Sequence, residues 1–81
     1  MDINYETQGE LCIMNHTGDT KLVWDRANTP EVDNAKRTFT DLRAKGYLAY
    51  KVKKDGEKAE QIHEFDPAAE RIILAPPMAG G

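Results

Sequence analysis

The chain has little of what stabilises small secreted domains or builds metal sites. Its 81 residues include one cysteine, Cys12, so no disulfide can form within the chain and no multi-cysteine zinc site is available. Aromatic residues make up 7% of the chain, and the longest apolar run, Ile72 to Ala79, is eight residues with two prolines. A membrane-spanning helix needs about 20 apolar residues, so this run is far too short for one.

The chain also lacks an excess of positive charge. It has 11 basic and 14 acidic residues and a formal charge of −3, whereas nonspecific nucleic-acid binding needs a concentrated basic face. Its first residues are acidic and polar, without the apolar segment of a signal peptide, and small secreted domains usually carry disulfides. We therefore expect a cytoplasmic protein that binds neither nucleic acid nor membrane.

The rest of the composition, 40% hydrophobic and 31% charged, is typical of one small globular domain. Residues 1–10 are polar and show no period, so we expect a loosely held arm there, or at best an edge strand, followed by a single domain over 11–75. The domain is predicted to begin with a β-hairpin. Two short runs, Leu11–Met14 and Lys21–Trp24, flank a segment in which Gly18 can adopt the positive φ of a tight reversal.

A helix is predicted at about 30–45. Four apolar residues recur at spacings of three and four and form one stripe: Val32, Ala35, Phe39 and Leu42. Thr29 is the expected N-cap, with Pro30 at the first helical position. Gly46 is expected to end the helix in a left-handed conformation.

Three strands are predicted after the helix. Tyr47–Val52 is rich in aromatic and β-branched residues, and Asp55-Gly56 is a preferred turn before a returning strand at Ala59–Phe65. Arg71–Ala75 is nearly all apolar, as expected for a central strand covered by a helix. The predicted order is β-β-α-β-β-β, an α+β domain with one helix packed on a mixed sheet.

The last six residues, 76–81, differ in kind from the rest. Pro76 and Pro77 cannot donate hydrogen bonds to a sheet, so a projecting tail is expected that ends in Met78, Ala79, Gly80 and Gly81. The element order and this Pro-Pro-x-x-Gly-Gly tail resemble the ubiquitin-like β-grasp proteins. From Ile72 onward the chain is most similar to the sulfur-carrier branch, which includes the small subunit of molybdopterin synthase. The basic residues that precede the glycines of ubiquitin are absent.

This resemblance implies a protein that is a substrate rather than an enzyme. The Gly81 carboxylate would be adenylated by an activating enzyme, with ATP and magnesium bound by that enzyme and no cofactor bound by this chain. Gly80 has no Cβ and would fit a narrow channel; Pro76 and Pro77 would direct the tail, and Met78 would contact the partner. The activated end would then carry sulfur or be transferred, with a conjugating enzyme, to target proteins.

A second interpretation is a non-catalytic adaptor or structural interaction module with an inert tail. Its candidate docking patch for an acidic partner is a group of lysines around the Asp55 turn: Lys51, Lys53, Lys54 and Lys58. The simpler interpretation of these lysines is solvated charge that protects a sheet edge. Cys12 is expected to act as a small hydrophobe, and His16 and His63 lack metal-site spacing, so no catalytic or metal-binding residue is predicted.

Overall fold

The computed structural model of the chain describes residues 6–15, 18–53 and 59–77. Within these ranges the elements follow the predicted order β-β-α-β-β-β: β1 (Gln8–Asn15), β2 (Gly18–Asp25), α1 (Thr29–Ala44), β3 (Leu48–Val52), β4 (Glu60–Ile62) and β5 (Arg71–Ala75). The prediction of an α+β domain with one helix and a mixed sheet is confirmed. No helix in these ranges has the length and apolar character needed to cross a membrane.

The five strands form one sheet in the order β2-β1-β5-β3-β4, so their spatial order differs from their order in the chain. β1 pairs antiparallel with β2 and parallel with β5. β3 pairs antiparallel with both β5 and β4. β5 is therefore the central strand, as its apolar sequence predicts.

The core lies between α1 and one face of the sheet. Its buried members come from the helix, from four strands and from the segment before β5: Leu11, Trp24, Ala35, Phe39, Ala49, Ala69, Ile72 and Leu74. Ala35 and Phe39 belong to the predicted helical stripe, and its other members, Val32 and Leu42, pack half-buried against the same core. The spacing of three and four thus identifies the buried side of the helix correctly.

The helix starts at a different cap from the predicted one. Asn28, not Thr29, is the N-cap: its Oδ1 accepts from the Glu31 backbone N–H at 3.3 Å, and its Nδ2 donates to Glu31 Oε2 at 3.1 Å. Asparagine caps helices at least as well as threonine, and the reciprocal bond to Glu31 favours it further. The helix ends as predicted, with Gly46 at a φ of 97° directly after the C-cap.

β1 is longer than predicted. It begins at Gln8, so residues 8–10 belong to the sheet and not to the loosely held arm predicted over 1–10. Glu10 is buried although it is charged, because its Oε1 accepts a hydrogen bond from Arg71 Nε at 2.9 Å. Gly18 has the predicted positive φ and pairs with Asn15. Residues 1–5 and 16–17 lie outside the described part of the chain.

β4 is shorter than predicted. It ends at Ile62, whereas the sequence predicts a strand to Phe65. Phe65 leaves the sheet because its ring packs edge-to-face against Trp24, at a centroid distance of 5.0 Å, and against Phe39, at 5.8 Å. The predicted turn at Asp55-Gly56 lies outside the described residues.

Candidate functional site

The described end of the chain leaves the sheet beside the last turn of α1. Ala75 pairs with Leu48, so β5 ends next to the start of β3. Pro76 is half-buried and Pro77 is exposed. A Cβ built on Gly46 would lie 3.6 Å from Pro77 Cβ and Cγ, which brings the predicted exit of the tail to the C-terminal end of the helix. Met78, Gly80 and Gly81 lie outside the described residues.

The side chain of Arg43, in the last turn of α1, contacts the segments before β3 and after β4. Its Nη1 donates to the Tyr47 carbonyl at 2.7 Å, and its Nη2 lies 3.3 Å from His63 Nδ1. Lys45 follows as the C-cap and is exposed. Positive side chains at the end of a helix complement the negative end of its dipole, so Arg43 and Lys45 stabilise the last turn of α1.

Lys51, the first residue of the lysine group, is held in an ion pair. Its Nζ lies 3.1 Å from Asp66 Oδ2. The hydrogen bond to Asp66, and then the charge of Asp66, raise the pKa of Lys51. Partial burial would by itself raise the pKa of Asp66, but the hydrogen bonds from Lys51 and the Ala68 backbone outweigh it and lower that pKa. Lys51 therefore already has an acidic partner within the domain.

Of the other three lysines in the group, the structure describes Lys53. Lys53 is exposed and lines, with Lys51, a cavity of about 290 Å³. Three carboxylates line the same cavity: Glu60, Asp66 and Glu70. The surroundings of the two described lysines are thus mixed in charge. Lys54 and Lys58 lie outside the described residues, so the four-lysine patch stays a prediction.

A second cavity, which the sequence analysis did not predict, lies between α1 and the segment after β4. Its volume is about 420 Å³, and its described lining combines cations, aromatic rings, a hydroxyl and one carboxylate: Lys36, Phe39, Thr40, Arg43, His63, Glu64 and Phe65. Lys36, Thr40 and Arg43 follow the spacing of one helix side, which is visible in the sequence. Nothing in the sequence connects that side with His63, because only the folded chain brings the two segments together.

The sheet face opposite α1, called here the open face, carries exposed apolar side chains. Strand alternation places Met14, Val23 and Leu48 on this face, and they are the large hydrophobic residues with the greatest exposure among those described. Ile73 and Tyr50, which pair across β5 and β3, are half-buried between them. The open face is therefore a second surface that a protein partner could cover.

Cys12 also lies on the open face. Partial burial, followed by the charge of Asp19, raises the pKa of its thiol, and Sγ lies 3.7 Å from Asp19 Oδ2. A raised pKa disfavours the thiolate, which is the nucleophilic form. No group of three or more histidine, cysteine, aspartate or glutamate residues in the described ranges is arranged to hold a metal ion.

Comparison with known proteins supplies no match from which a function could be transferred. No protein-family model, no curated protein sequence and no solved structure matches it. The function therefore has to be inferred from the residues and geometry described above.

Proposed function

We propose that this protein is a ubiquitin-like β-grasp protein whose Gly81 carboxylate is adenylated by a partner enzyme in the cytoplasm, and then carries sulfur or modifies other proteins. The observation that carries the proposal is the Pro-Pro-x-x-Gly-Gly sequence directly after the central strand β5. The architecture is compatible with a β-grasp: parallel β1 and β5 lie at the middle of a mixed sheet, and one helix covers one face.

The path of the chain after β5 supports this role. Pro76 and Pro77 lack the backbone N–H that would extend the ladder with β3, so the chain must leave the sheet here. Gly81 is the fourth residue after Pro77, and four extended residues span at most about 14 Å. That reach is enough to bring Gly81 into a partner's active site while the folded domain stays at its surface.

The chemistry requires only a carboxylate from this chain. In the partner, a Gly81 oxygen attacks the α-phosphate of ATP, pyrophosphate leaves, and a glycyl adenylate forms. A sulfur donor or a lysine amine then attacks the glycyl carbonyl and displaces AMP. ATP and magnesium belong to the partner, and the small size of Gly80 admits the tail to a site closed to water.

Intact-mass spectrometry tests this proposal. The full chain is incubated with extract of its host, ATP and magnesium, and we expect a new species in which sulfur replaces one carboxyl oxygen, or in which Gly81 is joined to a protein amine. Deletion of Gly81, or addition of one alanine after it, should abolish the new species. Met78→Ala should reduce its rate of formation only. Retention of full biological activity by the Gly81 deletion would contradict the proposal.

A second candidate function is a non-catalytic adaptor, and the exposed apolar residues of the open face favour it. This function predicts that an added C-terminal alanine has no effect in the host, whereas Met14→Asp or Leu48→Asp abolishes partner binding. Charge reversal at Lys53 and Lys54 tests whether the lysine group takes part. Binding that survives all of these changes would exclude both surfaces.

A further inference from the structure

The cavity between α1 and the segment after β4 contains a cationic group whose hydrogen bonding is incomplete. Arg43 is half-buried at its edge. On one side of its guanidinium, Nη1 donates a hydrogen bond to the Tyr47 carbonyl at 2.7 Å. The other side consists of Nε and Nη2. Nη2 is 3.3 Å from His63 Nδ1, and Nε is buried with no hydrogen-bond partner in the described part of the chain.

Nε and Nη2 of Arg43 are two parallel N–H donors, and His63 Nδ1 is the one acceptor that the described residues place beside them. A buried donor without a partner is unfavourable, because it has lost its hydrogen bonds to water. An imidazole nitrogen can accept from one of the two donors, whereas a carboxylate has two oxygens that match Nε and Nη2 together. His63 is exposed, so its ring can move aside without disturbing the core.

We propose that this cavity binds an acidic side chain of a partner protein, with its carboxylate paired to Nε and Nη2 of Arg43. Lys36 lines the same cavity and adds a second positive charge, while Thr40 adds a hydroxyl donor. This site uses neither the C-terminal tail nor the open face, so its test can succeed or fail independently of the test of the proposed function.

The lining favours a carboxylate beside an apolar residue over a phosphate. Glu64 borders the cavity, and its negative charge would repel a dianion more strongly than a single carboxylate. Phe65 is half-buried, and its ring provides apolar surface next to the charged edge. An acidic residue followed by an aliphatic one in a peptide matches both features, with the aliphatic side chain packed against Phe65.

Nuclear magnetic resonance of the ¹⁵N-labelled full chain tests the site directly. The probe is the blocked dipeptide acetyl-Glu-Leu-amide; acetyl-Gln-Leu-amide and inorganic phosphate are the controls. We expect a saturable shift of the Arg43 Nε–H resonance with the glutamate peptide, and none with the glutamine peptide. The Nε–H of Arg37, which does not line the cavity, should not respond.

Variants separate pairing geometry from charge. Arg43→Lys keeps the charge but removes the paired donors, and we expect at least about tenfold weaker binding of the glutamate peptide. Arg37→Lys, the same change outside the cavity, should bind like the wild type, and circular dichroism confirms that each variant is folded. An unmoved Arg43 resonance in the wild type, an equal shift at Arg37, or tighter binding of phosphate than of the peptide would each overturn the proposal.

Discussion

The two faces of the sheet are built in different ways. On the face covered by α1, Leu11, Ile72 and Leu74 are completely buried by apolar contacts. On the open face, Met14 and Leu48 keep 46% and 40% of their surface exposed, and the buried side chain among the described residues there is a charged one, Glu10. Apolar packing therefore stabilises the covered face. On the open face the buried contact is the ion pair between Glu10 and Arg71, and the exposed hydrophobic residues are available to a partner.

The sharpest test of this difference removes one large side chain from each face. Trp24 is fully buried, and its Nε1 donates to the Pro67 carbonyl at 3.1 Å. We expect Trp24→Ala to lower the free energy of unfolding by about 3–5 kcal/mol, as measured by urea denaturation. Met14→Ala, on the open face, should change it by less than about 1 kcal/mol. Equal losses would show that the open face is also covered.

Gly9 tests how closely the covered face is packed. A Cβ at this position would overlap the Trp24 ring at Cζ2, so the ring or the strand must move. We expect Gly9→Ala to destabilise the protein by about 3 kcal/mol, although alanine is normally the better residue within a strand.

A variant that lacks the Trp24 ring tests whether a clash with that ring causes the loss of stability at Gly9. In a Trp24→Leu variant the indole is absent, so the added methyl group should be far better tolerated than in the wild type. An unchanged effect of Gly9→Ala in that background would mean that the loss arises elsewhere in β1. Urea denaturation of the wild type, the two single variants and the double variant forms the double-mutant cycle that measures the coupling.

The ion pair between Glu10 and Arg71 tests the open face. We expect Glu10→Gln to destabilise the protein by about 1–2 kcal/mol, because it removes the charge from a buried pair; the partial exposure of Arg71 limits the loss. The double variant Glu10→Met, Arg71→Met should regain much of the stability lost by either single change. Strictly additive losses would contradict a direct interaction between the two side chains.

The smallest effect is expected at the pair of Lys51 and Asp66, at the border of the covered face. The pKa of Asp66 is lowered below its ordinary 3.8, so the ionised carboxylate stabilises the fold above that pH, and this contribution is lost as pH falls through the folded pKa. Lys51→Met should cost less than about 1 kcal/mol at neutral pH, because both side chains are about one-third exposed.

The pH dependence identifies the contribution of that pair. The stability difference between the wild type and Lys51→Met should shrink as pH is lowered from 7 to 3 in thermal unfolding measurements. Lys45→Met provides the control, since Lys45 is exposed and lines neither cavity, so its difference from the wild type should change much less with pH. A constant difference for both variants would exclude the ion pair as a source of stability.

Local signals predicted the elements well where one segment determines its own conformation. The spacing of Val32, Ala35, Phe39 and Leu42 predicts both the helix and its buried side, and Gly46 predicts where it ends. The predicted N-cap is one residue too late. Asn28 and Thr29 are both residues that cap helices well, and the hydrogen bond between the side chains of Asn28 and Glu31 favours Asn28. Strand ends were less predictable: Phe65 continues a β-like pattern, but its ring gains more by packing on Trp24 and Phe39.

The candidate sites also differ in how far local sequence predicts them. The Pro-Pro-x-x-Gly-Gly tail is visible in the sequence alone, since its chemistry depends on consecutive residues, and its role stays a prediction. The cavity at Arg43 could not be predicted, because His63 is 20 residues away in the chain and meets Arg43 only after folding. The sequence predicts the lysine group as a docking patch for an acidic partner, yet the described part of its surroundings includes Glu60, Asp66 and Glu70.

Local sequence is enough to predict the order of the elements, the buried stripe of the helix and the central apolar strand, because each depends on the periodicity or turn chemistry of neighbouring residues. Three features emerge only when the chain folds: Glu10 lies in the sheet, Lys51 pairs with Asp66, and Arg43 borders a cavity. These features depend on contacts between distant segments, such as Glu10 with Arg71, and no local pattern encodes them. The single cysteine excludes an internal disulfide and a multi-cysteine zinc site, but the folded chain determines which charged side chains meet.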